Sequence, residues 1–193
     1  MFKIIEFEDV VKVSPSRLGD PVKEVFKSVL KDRYEGMVME GVGYVILLVD
    51  YEFDPVGQIS PGDGYSYHKV RVKVLSYYPE VNEVVEGRVV EVEEFGVFVR
   101  LVTTDALMHV SQITDDYMDY NSSQGVLMGR QTKRIIQKND WVRARVAAVS
   151  IGRGSMTDKI GLTARQPFLG KAEWIEEDAK KLAGEKPKQE AKT

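Results

Sequence analysis

EVVEGRVVEVEEFGVFVRLVTTDALMHVS occupies residues 83–111 and contains the most regular pattern in this chain. Within it, Val97, Val99 and Leu101 alternate with Gly96, Phe98 and Arg100. A period of two is typical of a β-strand with one buried face. The aliphatic set must be the buried one, so Phe98 is predicted to point to the solvent-facing side of the sheet.

Three groups around this strand suggest a surface for unpaired bases. Phe95 precedes the strand, Gly96 has no side chain to block a second backbone, and His109 lies on the next predicted strand. Aromatic rings and a histidine displayed beside basic residues on a small sheet can stack on single-stranded bases. An aromatic residue beside a regular alternation can equally pack under a loop or against a partner protein, and a lone histidine can be structural. The alternation alone leaves both interpretations open.

The spacing of several strings resembles the S-one-type OB fold, an RNA-binding barrel named for a ribosomal protein. The strings are Gly87, FGVFV at 95–99 and LMHVS at 107–111. The segment KNDWVRARV at 138–146 fits a later strand, and residues 160–163 fit the fifth, closing strand. In the later strand, Val142, Ala144 and Val146 are expected to face inward, and Arg143 and Arg145 outward. The resemblance implies that RNA lies across the exposed sheet face.

Composition excludes several kinds of site. A chain of 193 residues suits one large or two small domains. The absence of cysteine excludes a disulfide framework, a zinc knuckle and a thiol nucleophile, and it fits a reducing compartment, so we expect a cytoplasmic location. His68 has no second ligand at metal-binding spacing, and neither metal nor cofactor is expected. No apolar run approaches the roughly 20 residues of a membrane span, so no membrane association is expected.

Charge is unevenly distributed over the second half of the chain. Residues 83–129 contain two basic and nine acidic residues, whereas residues 130–171 contain ten basic and two acidic residues. Binding to phosphates needs a local basic surface rather than a basic protein. The two stretches can instead neutralise each other within the barrel domain, and the sequence does not choose between these alternatives.

The first half predicts a small α+β domain. The Ile, Val and Phe residues at 2–13 indicate a strand. A helix is predicted to start at Asp20-Pro21, with Asp20 as the N-cap and Pro21 at the first helical position. Gly36 is placed to end this helix in a left-handed cap. One helical face is expected to carry the apolar residues Val22, Val25, Phe26, Val29 and Leu30.

Two further strands complete that domain. Gly41 and Gly43 predict a tight turn into a nearly continuous apolar run at 44–51, interpreted as a central, buried strand. The loop ISPGDG at 59–64 leads to a long strand at 67–78. The sum is one helix on a small antiparallel sheet, a truncated ferredoxin-like or RNP-like domain. A single helix covers one sheet face, so the other face is expected to expose an apolar patch.

The remaining segments set the expected domain boundaries. About 30 residues separate His109 from Trp141, long for a barrel connection, and predict an inserted hairpin followed by basic residues. From Asp178 onward the chain is rich in Lys, Glu, Ala and Pro, which predicts a short helix at most and then a disordered tail. The expected divisions are 1–80 for the tip domain, 81–175 for the OB-fold domain and 176–193 for a flexible charged tail.

As a whole, the chain resembles the E-prime family of archaeal RNA polymerase stalk subunits, the equivalent of the seventh subunit of eukaryotic RNA polymerase II. The resemblance rests on the domain order and on four stretches: 61–68 (PGDGYSYH), 79–87, 105–116 and 161–171. It implies a non-catalytic protein that forms a heterodimer with the F subunit of RNA polymerase and docks on the polymerase core through tip loops. Its barrel would meet the emerging single-stranded transcript.

These considerations predict two sets of site residues. Stacking on RNA is expected from Phe95, Phe98 and His109, and phosphate contacts from Arg88, Lys133, Arg143 and Arg145. Docking on the polymerase core is expected from Gly36, Gly41, Pro61, Gly62, Asp63 and Gly64. The alternative is a stand-alone OB-fold RNA-binding or RNA-processing factor. No catalytic site is expected, because an enzyme needs convergent acid, base or metal groups and the glutamates at 91–94 suit a solvated strand edge.

Overall fold

The computed structural model describes residues 1–17, 19–151 and 159–184. The chain divides into two compact units: the first is Met1–Tyr78, and the second comprises Pro79–Ser150 and the described residues after 156. Each unit has its own sheet and its own core. Across the described ranges, no helix combines the length and apolar character needed to cross a membrane.

The first unit is an antiparallel sheet with one helix, which confirms the predicted α+β class. Its strands are β1 (Phe2–Val13), β2 (Val38–Met39), β3 (Gly43–Phe53), β4 (Gln58–Ile59) and β5 (Ser66–Tyr77), and its helix is α1 (Val22–Tyr34). The sheet order is β1-β5-β3-β2, and β4 pairs with the start of β5. The helix packs on one sheet face, where Phe26 and Leu30 meet Val72 in a common core.

The helix begins one residue later than the sequence predicts. Its N-cap is Pro21, with a ψ of 118° and no side-chain cap hydrogen bond, so Asp20 was wrongly assigned as the cap. The carbonyl of Pro21 accepts the first intrahelical hydrogen bonds, from the amides of Glu24 and Val25. Val22 in the first turn is 54% exposed, so it does not belong to the buried face. The predicted left-handed residue after the helix is confirmed, with a φ of 81° at Gly36.

The apolar run at 44–51 is not the central strand. β5 lies at the centre between β1 and β3, and β3 is only half-buried, with Leu47 40% and Val49 49% exposed. The prediction was wrong because an apolar run indicates burial on both faces only when both faces are covered, and α1 covers one. Leu47 pairs with Leu75 of β5, which in turn pairs with Ile4 of β1. These residues form an apolar row on the sheet, and Ile4 is 67% exposed.

The second unit is a closed barrel with an inserted sheet, as predicted for its fold class. The strands are β6 (Val84–Glu93), β7 (Gly96–Arg100), β8 (Asp105–His109), β9 (Met118–Asn121), β10 (Val126–Gly129), β11 (Ile135–Gln137), β12 (Trp141–Ser150), β13 (Lys159–Thr163) and β14 (Gly170–Lys171). The barrel order is β13-β8-β7-β6-β12, and β13 also pairs with β12. The parallel contact between β13 and β8, at Gly161 and Leu107, closes the barrel.

Two segments of this unit contain more structure than the sequence suggests. The predicted hairpin is β9–β10, and a third strand, β11, pairs with β10 in the same separate sheet. The helix α2 (Ala172–Gly184) continues through 176–184, where a flexible tail was expected. Lys, Glu and Ala are good helix formers, and the guanidinium of Arg134 binds the carboxylate of Asp178 at 2.5 Å. The rest of the expected tail, 185–193, lies outside the described residues.

Candidate nucleic-acid interface

The outward face of β8, β7, β6 and β12 carries most of the residues predicted to bind RNA. The alternation on β7 is confirmed, because Val97 and Val99 are at most 1% exposed. Phe98 between them points outward and is half-buried. On β12, Val142, Ala144 and Val146 likewise fill the barrel interior, being at most 2% exposed. The parity of these strands therefore gives the barrel one solvated face of mixed aromatic and charged character.

The three predicted stacking residues lie together around Gly96. Strand pairing places His109 opposite Gly96, and Leu107 opposite Phe98. The rings of Phe95 and Phe98 meet edge-to-face, with 6.1 Å between centroids and an interplanar angle of 88°. The structure thus brings two aromatic rings and an imidazole to one corner of the sheet, and Phe95 is 48% exposed.

Close packing between β7 and β8 requires glycine at position 96. A Cβ at this position would lie 2.3 Å from the carbonyl oxygen of Met108 and 2.9 Å from Cα of His109. The φ of 154° is also one that side-chain-bearing residues seldom adopt. Gly96 therefore allows the backbone of His109 to approach β7 closely, and the pairing places His109 on the sheet face that carries Phe98.

The imidazole of His109 is oriented by the next turn. Its Nδ1 accepts a hydrogen bond from the backbone amide of Ser111 at 3.2 Å and lies 2.9 Å from the hydroxyl of the same residue. In the neutral ring the proton is therefore on Nε2. Nε2 has no partner in the part of the chain that the structure describes, so it can donate to a ligand at the solvated face.

Most of the arginines on this face are already paired. Arg143 donates to Glu86 across the strands at 2.7 Å, and Arg100 forms a two-pronged pair with Asp105 at 2.7 and 2.8 Å. Hydrogen bonding from Arg100 holds the pKa of the Asp105 carboxyl below its usual range. Arg145 is only partly exposed, donates to the carbonyl of Asn82 at 3.1 Å and has a buried Nε. Carboxylates therefore neutralise Arg100 and Arg143 in part, whereas the carbonyl restrains the Arg145 guanidinium without neutralising its charge.

This pairing favours one of the two interpretations of the charge distribution. Within the described residues, three ion pairs join the basic stretch 130–171 to the acidic stretch 83–129: Arg143 with Glu86, Arg130 with Asp119, and Arg165 with Asp115. Mutual neutralisation therefore accounts for part of the charge asymmetry. The pairs lie on the surface and contribute little to stability individually.

Arg88 is the exception on this face. It lies opposite Arg100 on β7 and opposite Trp141 on β12. Its guanidinium carbon is 5.4 Å from the centroid of the Trp141 ring. Among the described residues it has no hydrogen-bond or ion-pair partner, so its charge is available to a phosphate.

Lys133 lies away from the barrel face. It sits in the turn between β10 and β11, is exposed and has a φ of 56°. The turn is held by Asp116, which accepts from the Thr132 amide and hydroxyl, both at 2.8 Å. These hydrogen bonds, the Thr132 amide first, hold the pKa of the Asp116 carboxyl below its usual range. The structure therefore separates Lys133 from the other predicted phosphate contacts.

The residues predicted to dock on the polymerase core form two groups rather than one. Gly36 and Gly41 lie between α1 and β3, whereas Pro61, Gly62, Asp63 and Gly64 precede β5. Because Tyr44 pairs with the end of β5 and Ile59 with its start, the two loops lie at opposite ends of that strand. At about 3.3 Å per residue they are roughly 35 Å apart.

The loop before β5 is shaped by polar contacts and displays apolar side chains. Asp63 accepts from the Tyr67 hydroxyl at 2.5 Å and from the Tyr65 amide at 3.1 Å. Nearby, Val56 is 76% and Ile59 is 71% exposed. Ile59 begins the loop that was predicted to dock, whereas sequence reasoning missed Val56, although a large apolar residue between turn-forming ones is a recognisable signal of a contact surface.

Trp141 is the other functional candidate that sequence reasoning missed. Its parity on β12 matches that of Arg143 and Arg145, opposite to the buried Val142, and that parity was the available signal. The indole is 54% exposed. It borders a groove of about 260 Å³ between β12 and α2, which Ile175 and Glu176 line on the helix side.

Comparison with protein families assigns both halves of the chain. Residues 78–156 match the model described as "S1 RNA binding domain", and residues 8–64 match "SHS2 domain found in N terminus of Rpb7p/Rpc25p/MJ0397". Thus the first unit, expected to be RNP-like, corresponds to an SHS2 domain.

Curated relatives match over nearly the whole chain. DNA-directed RNA polymerase subunit Rpo7 of Saccharolobus shibatae is 40% identical over 91% of this chain and 97% of its own length. The protein of the same name from Saccharolobus solfataricus is 38% identical over 93% of this chain and all of its own length. DNA-directed RNA polymerase II subunit RPB7 of Saccharomyces cerevisiae is 29% identical over 88% of this chain and 99% of its own length. Among solved structures, the apo form of Mycoplasma genitalium RNase R is 21% identical, with a TM-score of 0.37, over 42% of this chain and 13% of its own.

Proposed function

Because the chain belongs to the Rpo7 family of DNA-directed RNA polymerase subunits, we propose that it is a non-catalytic stalk protein that binds the emerging single-stranded transcript. In this proposal residues 1–80 dock on the polymerase core, residues 81–175 form the RNA-binding domain, and the F subunit of the polymerase is the immediate partner. The chain contributes binding surfaces, and nucleotide chemistry belongs to the core enzyme.

The observation that carries the RNA-binding proposal is the grouping of Phe95, Phe98 and His109 around Gly96. Aromatic faces at an exposed sheet corner offer π-surfaces to any base, so binding is expected to be weakly sequence-specific. Single strands should bind better than duplexes, because the bases of a duplex are not free to stack on side chains.

The test replaces Phe98 with alanine and measures binding of the full chain to single-stranded RNA. Loss of one stacking aromatic is expected to cost roughly 1–3 kcal/mol. Phe168→Ala is the control for loss of a phenylalanine ring elsewhere, since Phe168 is 50% exposed and lies in the loop after β13. Equal binding by wild type and Phe98→Ala would contradict the proposal and would leave this face as a protein-contact surface.

We rank the proposed phosphate-contacting residues by how far other groups of the protein already bind their charged side chains. Arg88 stands first because its charge is free, and Arg143 follows because Glu86 neutralises it in part. Arg145 is held by a backbone carbonyl, and Lys133 projects from the separate sheet, so each is expected to contribute less. On single strands, each lost contact should reduce the slope of log affinity against log salt by about 0.7.

Docking on the polymerase core is proposed through the two loops of the first unit, which can be tested independently. Gly41, Gly62 and Gly64 have φ values of 76°, 104° and 70°, and an added Cβ would meet nothing closer than 3.9 Å. A side chain at these positions therefore costs backbone strain of about 1–2 kcal/mol per residue, and its Cβ meets no clash; valine adds bulk beyond that Cβ.

The docking experiment compares three variants for retention on the core enzyme. Gly62→Val/Gly64→Val is expected to lose retention, and Gly41→Val reports on the other loop. Gly125→Val is the strain-matched control, because Gly125 has a φ of 63° and open space but lies in the second unit. Full retention of both loop variants would refute docking through these loops.

Pairing with the F subunit is proposed to use the apolar row on the uncovered sheet face of the first unit. Ile4 and Leu47 are exposed there, whereas the neighbouring rows are charged, with Arg71 bound to Glu8 at 2.8 Å. Leu47→Lys should abolish co-purification of the F subunit, because a buried unpaired charge at an interface is costly. Val10→Lys is the control: Val10 is 45% exposed on β1, towards the charged end. Co-purification with both variants would mean that the heterodimer forms through another surface.

A further inference from the structure

Trp141 and Arg88 form an exposed pair, and only Arg88 belongs to the predicted RNA-binding set. Their residues are opposite each other on β12 and β6, and the guanidinium lies 5.4 Å from the indole centroid. Trp141 remains 54% exposed despite this contact, so much of the indole surface is open to a ligand. Arg88 has no counter-charge within the described residues, whereas Arg100 and Arg143 on the same face are both ion-paired.

We propose that Trp141 and Arg88 form a second stacking site for single-stranded RNA, with a base on the indole and a phosphate on the guanidinium. This proposal rests on the proposed RNA-binding function and names residues that extend it. Tryptophan offers the largest π-surface among side chains, and an adjacent arginine adds charge complementarity to the backbone of the same nucleotide.

The position of the pair suits a strand that already contacts the phenylalanine corner. Phe98 and Arg100 are two residues apart on β7, and Arg100, Arg88 and Trp141 lie side by side on three adjacent strands. Two interstrand steps of about 4.8 Å and one two-residue step along a strand place the sites about 12 Å apart. One OB fold covers roughly 4–16 nucleotides of a single strand. A single bound strand is therefore long enough to reach both sites.

Local charge separates the roles of base and phosphate at this site. The groove beside Trp141 is lined by Glu86 and Glu176, and Arg143 in the same groove is bound to Glu86. Carboxylates repel phosphate, so the groove side of the indole is suited to a base. The phosphate is accordingly expected at the guanidinium of Arg88, which lies opposite Trp141 and has no carboxylate partner within the described residues.

Intrinsic fluorescence reports directly on this proposal. The chain has two tryptophans, and Trp174 is 5% exposed, so quenching by an added oligonucleotide reports chiefly on Trp141. The full chain is titrated with oligouridines of about 4 and about 16 nucleotides. The longer RNA should quench the emission, and Trp141→Phe should remove most of the quenching while retaining most of the affinity.

Affinity measurements complete the test. Trp141→Ala should weaken binding of the longer oligouridine about 5- to 150-fold, whereas Tyr117→Ala should not. Tyr117 is the matched control because it is 76% exposed and stacks on Arg130 at 5.2 Å, but it precedes the separate sheet. Arg88→Gln should reduce the salt slope by about 0.7, and the charge-neutral double variant Arg100→Gln/Asp105→Asn should not.

The outcomes separate this proposal from the one on which it rests. If wild type binds RNA and Phe98→Ala weakens it, but Trp141→Ala binds normally and no quenching occurs, the second site is refuted and RNA binding at the phenylalanine corner stands. If wild type does not bind single-stranded RNA, both proposals fail. Thermal unfolding of Trp141→Ala close to that of wild type confirms that any loss of affinity comes from the removed ring.

Discussion

Replacing Gly96 with alanine is expected to destabilise the barrel unit strongly. The new Cβ would lie 2.3 Å from the Met108 carbonyl oxygen, a backbone atom that cannot rotate away. This clash can be relieved only if β7 and β8 move apart. Such a movement would also disturb Phe98 and His109, which these two strands carry. The φ of 154° adds conformational strain that glycine alone avoids.

The expected magnitude follows from these two contributions. Backbone strain of this kind costs about 1–3 kcal/mol, and overpacking of a tight contact costs about 1–3 kcal/mol more. The sum, about 2–6 kcal/mol, is a large fraction of the roughly 5–15 kcal/mol that stabilises a typical domain. With a urea m-value of about 2 kcal/mol per molar, the midpoint should fall by about 1–3 M.

Tryptophan fluorescence during urea unfolding provides the assay, because both tryptophans belong to the second unit. Two glycines in the same unit separate the causes. Gly125→Ala introduces strain without a clash, since Gly125 has a φ of 63° with nothing within 4 Å, and should cost about 1–2 kcal/mol. Gly161→Ala meets Ala148 at an ordinary 3.7 Å and should be nearly neutral. A midpoint for Gly96→Ala equal to that of Gly125→Ala would refute the clash argument.

Three further predictions concern electrostatics and the first unit. Glu86→Gln frees the guanidinium of Arg143, so RNA affinity should rise and the salt slope should steepen by about 0.7; an unchanged slope would show that Arg143 does not meet phosphate. The pKa of the Asp116 carboxyl is lowered in the folded unit, so its carboxylate stabilises that unit at pH values above the ordinary aspartate pKa of about 3.9. This contribution to stability is lost as the pH falls through the lowered pKa. The urea midpoint of wild type should therefore fall more steeply on acidification than that of Asp116→Asn, and parallel curves would contradict this. Gly57→Ala would place a Cβ 2.5 Å from the ring of His68 and should destabilise the first unit by about 1–3 kcal/mol, measured by hydrogen exchange; unchanged protection of β5 would count against it.

Strand parity accounts for the parts of the fold and site that could be predicted. The alternation around Phe98 correctly separates buried from outward residues on β7, and the same rule holds for Val142 and its neighbours on β12. Parity also contained the signal for Trp141, which was available but not used. This pattern can be read from the sequence because successive side chains of a pleated strand always point to opposite faces.

Errors arose where burial or capping depends on distant neighbours. The apolar run at 44–51 resembled a central strand, but β5 occupies the centre and one face of β3 has no covering helix. Asp20 fitted a cap by residue type, whereas the backbone placed Pro21 there. The composition of residues 176–184 suggested a flexible tail, but these residues belong to α2. Asp178 in that helix is bound to Arg134, which is distant in the sequence.

By itself, the sequence determined the two-domain order, the strand alternation and the residues available for stacking. Only the tertiary structure decided which charges remain free, because a guanidinium's availability depends on the carboxylate that strand register places opposite it. Register pairs Arg143 with Glu86 and Arg100 with Asp105, and it leaves Arg88 facing an indole instead of a carboxylate. Arg143 and Glu86 are 57 positions apart in the chain, so no local pattern could identify that pair, whereas Arg100 and Asp105 are only 5 positions apart.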